Sequence, residues 1–220
     1  MRQTGLKIAV LSLAMAGFSS AAAIVSENFE GGVTDGIVTT AGVIPNTIFS
    51  LVQGSVDLLG PTYYSGLCSA PASGNCLDTE GSTSANPALG KIQATSATSF
   101  APGAYVLTFV LTGWSNPGTP TDNEIATVEV TLGGLIDQTY TVNGANDPYP
   151  LRSIPFIVGS TTSASLAFAT LVNASSVGYA GAILDNVQIN AVPEPGSLIS
   201  VGLGLAILGL RPIRRRIFNR

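Results

Sequence analysis

Apolar and polar residues alternate with a period of two through much of the chain, and no stretch keeps a helical period. In Ala104 to Gly113 (AYVLTFVLTG), Tyr105, Leu107, Phe109 and Leu111 fall on one face, and Val106, Thr108, Val110 and Thr112 on the other. That pattern predicts a strand buried on one side and half covered on the other. Ile125 to Leu132 and Leu135 to Val142 flank Gly133-Gly134, which predicts a β-hairpin closed by a two-residue turn of permissive dihedrals. Further strands are predicted at 27–30, 48–52, 55–58, 91–94, 154–158, 164–171 and 182–189, between clusters of Gly, Pro, Asn and Asp. About ten strands without a helix predict an all-β domain, an antiparallel, jelly-roll-like β-sandwich.

The two ends break this pattern. Arg2 and Lys7 precede an eleven-residue apolar run, Ile8 to Phe18, and the small residues Ser19 to Ala23. This is the arrangement of a secretory signal peptide: the run is too short for a bilayer core, and Ala21-x-Ala23 offers signal peptidase small side chains. Residues 1–23 are thus assigned as the signal peptide and 24–191 as the β-sandwich ectodomain, with a separate signal at 192–220. Export implies an oxidising compartment, where Cys68 and Cys76, eight positions apart in a loop-like segment, are expected to form a disulfide; the alternative is two free thiols.

Composition narrows the function classes. The 220 residues include no His, which removes the histidine triads, His metal sites and His general bases. Between Ile24 and Pro193 lie twelve acidic residues against Lys91 and Arg152, a net of −10. Such a body is repelled by phosphate backbones, which excludes nucleic acid as a partner. Seven of the nine basic residues lie in the two ends.

From Val192 the chain runs through Pro193-Glu194-Pro195, which cannot continue a strand, into fourteen uncharged, mostly apolar residues from Ser197 to Leu210. Arg211, Arg214, Arg215, Arg216 and Arg220 follow and place the tail in the cytoplasm. As a helix the apolar segment reaches about 21 Å, a marginal transmembrane span that suits transient retention in the inner membrane. The stretch resembles the PEP-CTERM sorting domain of exopolysaccharide-producing Gram-negative bacteria, with Val192, Pro193, Glu194 and Pro195 as the motif and Arg214 to Arg216 as the basic cluster. That resemblance implies recognition, and cleavage at the motif, by an exosortase. An ordinary tail anchor is the alternative.

Within the body, strict alternation puts Ile183, Asp185, Val187 and Ile189 on one face, so Asp185 needs a cation or several donors unless a bulge turns it outward. Asn28-Phe29-Glu30-Gly31-Gly32 at the other end of the domain adds a second carboxylate, and Glu30 with Asp185 could hold a hard cation. The alternative is carboxylates that cap turns. NFEGG and LDNV are similar to segments of carbohydrate-binding β-sandwich modules, and that resemblance implies a structural Ca²⁺. Trp114, with Tyr63, Tyr64 or Tyr149, could form a sugar-stacking face, or Trp114 could cover one end of the core. The close carboxylate pairs Asp78/Glu80 and Asp122/Glu124 read as solvated loop residues, and no nucleophile, phosphate-loop or zinc motif is present. The expectation is a non-enzymatic, exosortase-sorted protein of the cell surface or extracellular matrix, associated with exopolysaccharide and with a capacity for glycan binding. The alternatives are a purely structural matrix component and a carboxylate-dependent surface hydrolase.

Overall fold

In this computed structural model, residues 22–31, 37–62, 68, 74–81, 88–114, 125–144, 149–173 and 181–193 are described. They form seventeen strands: β1 (Val25–Glu27), β2 (Ile37–Thr39), β3 (Gly42–Val43), β4 (Phe49–Gln53), β5 (Val56–Leu59), β6 (Cys76–Asp78), β7 (Glu80–Gly81), β8 (Ala88–Leu89), β9 (Lys91–Ala94), β10 (Thr98–Phe100), β11 (Gly103–Gly113), β12 (Ile125–Leu132), β13 (Ile136–Asn143), β14 (Leu151–Val158), β15 (Thr162–Ala164), β16 (Leu166–Asn173) and β17 (Ala182–Ala191). One sheet runs β14-β11-β17-β6-β5-β2, with β1 also paired to β17. The other runs β13-β12-β16-β9-β4-β3, and β10/β15 and β7/β8 form two small ribbons. Every pairing is antiparallel. The expected antiparallel sandwich is therefore found.

The core lies between the two sheets because each long strand turns its alternate apolar residues inward. Leu107, Phe109 and Leu111 of β11 meet Val128 and Val130 of β12 and Phe168 of β16, all buried. Phe109 stacks edge-on against Phe168 at 5.4 Å and against Tyr140 at 5.6 Å, so one side chain joins three strands across the interface. On the outer face of β11, Val106 and Thr108 are half-buried while Val110 and Thr112 are fully covered.

Three details differ from the sequence reading. The hairpin turn holds three residues rather than two: Leu132 pairs with Ile136, Leu135 N–H bonds back to Leu132 O at 2.9 Å, and Gly133 alone takes a positive φ, of 51°. This register keeps Leu132 and Ile136 both in the core. The first strand is Val25–Glu27, and the chain turns at Phe29 instead of continuing to Glu30. Asp78 and Glu80, expected in a solvated loop, lie in β6 and β7 and are buried, because β6 is a central strand between β5 and β17. The Asp122/Glu124 pair lies outside the described residues, as do the expected signal peptide up to Ala21 and everything beyond Pro193. Among the described residues no helix is long and apolar enough to cross a membrane, and Ser197 to Leu210 are not among them.

Candidate functional site

β17 begins with inward Leu184 and outward Ile183 and Asp185; then Asn186 takes a φ of 50° and the register against β11 shifts between Thr108 and Val110. This bulge is why Val187 and Ile189 face the core while Asp185 points the other way, so the four residues do not share one face as strict alternation predicts. Asp185 is only 4% exposed even so. Its Oδ1 accepts a bond from Asn186 N–H at 2.6 Å. Burial first, and then the carboxylates of Glu30 and Glu27, push its pKa up to about 7, against the lowering by Asn186 N–H.

The sequence reading brought Glu30 and Asp185 together, and the structure places the two carboxylates within electrostatic reach of each other. It also adds Glu27, which the sequence reading did not select. Glu27 is the last residue of β1, opposite Val187 of β17. Its two oxygens accept from Phe29 N–H and Ile48 N–H, each at 2.7 Å. The carboxylate thereby holds Phe29 at a φ of 56°, an unusual conformation for a bulky residue, while the Phe29 ring is sealed in the core against Phe49. A Glu two residues before a Phe-Glu-Gly turn was the available signal. Glu30 is exposed, accepts Asn75 N–H at 3.3 Å, and sits where a Cβ on Gly74 would collide with both its oxygens. Among the described residues no group of three Asp, Glu, Cys or His side chains is close enough to hold one ion. A cation here would take Glu30 and Asp185 with backbone oxygens, since both Glu27 oxygens already accept backbone N–H groups.

A second acidic group lies on the outer side of the same sheet. Asp57 and Asp78 are directly paired across β5 and β6, and Glu80 follows two residues on. Asp78 Oδ1 accepts Glu80 N–H and Gly181 N–H, both at 2.9 Å. Burial dominates its titration and, with the Asp57 and Glu80 charges, raises its pKa well above the carboxylate range.

Cys68 and Cys76 form a disulfide. It is buried with Leu59 and Ile183 on the outer face of the sheet, and half-buried Trp114 packs against that cluster. The Trp114 backbone N–H bonds to Gly181 O at 3.1 Å, and its side chain, half-exposed, covers the disulfide cluster. Tyr149, at a φ of 46°, precedes Leu151, which pairs with Val110 four residues before Trp114; both aromatics thus lie at one end of the β11–β14 pair. Tyr63 and Tyr64 lie outside the described residues. A separate cleft of about 370 Å³ opens at the opposite end, lined by hydroxyls of Ser26, Thr95, Ser96 and Thr98 and by Ile24 and Ile48.

β17 ends at Ala191, and Val192 N–H makes one further bond to Ala104 O at 2.8 Å before the exposed Pro193. Residues 191–216 match the PEP-CTERM protein-sorting motif. The PEP-CTERM segment thus starts as the last strand runs out, with Glu194, Pro195, Arg211, Arg214, Arg215 and Arg216 beyond the described residues. No curated protein matches the chain. Solved structures to which it is similar include the CBM22-1 xylan-binding domain from Paenibacillus barcinonensis, 14% identical over 80% of this chain and 97% of that one, with a TM-score of 0.38. A family 35 carbohydrate binding module from Clostridium thermocellum is 15% identical over 76% of this chain and 98% of that one, at a TM-score of 0.36. The K1 cleaved adhesin domain of Lys-gingipain from Porphyromonas gingivalis is 15% identical over 77% and 98%, at 0.40.

Proposed function

We propose that this is an exported, non-enzymatic protein that an exosortase sorts through the PEP-CTERM segment to the cell surface or extracellular matrix, where its β-sandwich associates with exopolysaccharide. The observation that carries the reading is the match of residues 191–216 to the sorting motif, directly after the last strand of an all-β body. In a host lacking its exosortase, the full-length chain is expected to stay with the inner membrane. Release of the wild-type amount at the wild-type mass from such a host would overturn the sorting role.

Glycan contact is assigned to the end of the sheet that carries Trp114 and Tyr149, since aromatic faces stack on sugar rings. In affinity electrophoresis through the host's exopolysaccharide, Tyr149→Ala is expected to weaken retardation at least threefold. Equal mobility of the wild type with and without polysaccharide would favour a purely structural matrix component. The hydrolase alternative is disfavoured by Asp78, which is 1% exposed and has its Oδ1 tied to two backbone N–H groups.

The pairing of the first and last strands supports a structural Ca²⁺ held by Glu30 and Asp185. The donors are hard carboxylate oxygens, and a divalent cation would offset both the burial that chiefly raises the Asp185 pKa and the repulsion from Glu30 and Glu27 that adds to it. Calcium at a hundredfold excess over its Kd would stabilise the protein by about 2.7 kcal/mol. Chelation is then expected to lower Tm by several degrees, and Asp185→Asn to remove that response. An unchanged melting curve would leave both carboxylates as backbone-capping groups.

A further inference from the structure

The outer face of the β14-β11-β17 sheet ends in an uncharged apolar patch where the chain leaves the sandwich. In the last row Ile157 of β14 lies opposite Ala104 of β11, which takes the backbone bond from Val192; Ile157 is 80% exposed and Val192 43%. The next row sets exposed Pro155 against half-buried Val106, and Val106 against Asn190. Ile24, bonded through its N–H to Ile189 O and 39% exposed, adds an apolar side chain at the same end. The third row is polar: Ser153, Thr108, Gln188 and Ser26. These three rows hold no charged side chain in a body whose net charge is −10 between Ile24 and Pro193.

We infer that this patch rests on the lipid surface while the protein is held at the membrane. The inference depends on the reading of Ser197 to Leu210 as the membrane-retained segment. Pro193 is the last described residue and Ser197 is four positions on, so the tether reaches at most about 14 Å even when fully extended. A tether this short brings the Val192 end of the domain to the headgroups. The part of the surface that arrives there is apolar and uncharged, and it meets lipid without the desolvation of charge that the acidic remainder would suffer. Pro155 on the edge strand also blunts pairing with a strand of a second copy.

The test uses the full-length chain reconstituted in phosphatidylcholine vesicles that contain a shallow nitroxide-labelled lipid. An environment-sensitive fluorophore is attached in turn to Ile157→Cys, to Ser153→Cys two positions along the same strand, and to Thr139→Cys on exposed β13 of the other sheet. Quenching at position 157 is expected to exceed that at 139 at least threefold, with 153 between them. If the protein floats with the vesicles and positions 157 and 139 are quenched equally, the patch does not meet lipid and the inference fails while the anchor stands. A label at 157 that is unquenched yet shifts to the blue with rising protein concentration would assign the patch to a second copy and overturn it. If the chain does not float with the vesicles at all, the membrane reading itself fails and the inference falls with it.

Discussion

Glu27 does more for the fold than either carboxylate that the sequence singled out. Its two oxygens join β1 to the start of β4 by accepting Phe29 N–H and Ile48 N–H, and the first of these bonds holds Phe29 in its left-handed conformation. Glu27→Gln leaves one acceptor oxygen and turns an amide N–H toward a backbone N–H, so the thermal midpoint should reveal a loss of about 2 kcal/mol. A variant as stable as the wild type would show that Phe29 is held by core packing alone. Asp78 has the opposite character, since its charge is a burden on the folded state. Its pKa is raised, so the folded state holds the proton more tightly than the unfolded chain does. The stability this supplies is complete below the ordinary carboxylate value near ~3.9 and is lost as pH rises through the raised value. Asp78→Asn keeps an oxygen for Glu80 N–H and Gly181 N–H but carries no charge beside Asp57 and Glu80. The variant is therefore expected to melt several degrees above the wild type at pH 8, with the difference shrinking toward pH 4. With no histidine in the chain, the usual source of such a slope is absent. A constant difference across that range would contradict the assignment.

At the scale of elements, close approach of strands decides the inner geometry. Gly90 joins the two sheets: its N–H bonds to Thr79 O and its carbonyl accepts Thr170 N–H. A Cβ there would lie 2.5 Å from Thr79 O and 2.6 Å from Ser55 O, both backbone atoms that cannot swing away. Gly90→Ala should cost about 2–3 kcal/mol in a denaturant titration, and a loss below about 0.5 kcal/mol would mean that the junction yields. The long strands β11 and β12 were legible because their alternation is clean: β12 falls where the pattern puts it, as does the four-residue β9, and β11 starts one residue earlier, at Gly103. The short β2, β3, β7 and β8 carry two or three residues each, too few for a period to show. Cys76-Leu77-Asp78 read as loop because Gly, Ser and Asn surround it; its strand character comes from pairing with β5 and β17, which are distant in sequence. Strict alternation put Asp185 on the core face, and the bulge held as its alternative is what the structure shows. One left-handed residue, Asn186, reverses every side chain beyond it, and Asn carries only a mild signal for that conformation.

For the whole molecule, the first and last strands, β1 and β17, pair directly, which draws Glu27, Glu30 and Asp185 together from opposite ends of the body. The same closure brings Ile24 and Val192 to one apolar edge, so the C-terminal sorting segment departs beside an uncharged apolar patch. The sorting segment was legible because its chemistry is local: a Pro-Glu-Pro break, an uncharged run and arginines, all contiguous. A glycan face has no such contiguity. Trp114 and Tyr149 are 35 positions apart, and the β11–β14 pairing puts both at one end of the sheet.

If the C-terminal segment determines where the protein goes, replacing Pro193, Glu194 and Pro195 together with alanine in the native host will change its destination. Residues 1–23, the apolar run and the arginines are all retained, so export is expected to be unaffected and only sorting to change. Fractionation followed by intact-mass measurement should find the wild-type protein trimmed and at the surface or in the medium, and the variant in the inner membrane with its C-terminal arginines still attached. A variant that reaches the surface in wild-type amount and at wild-type trimmed mass would show that Pro193, Glu194 and Pro195 do not direct sorting.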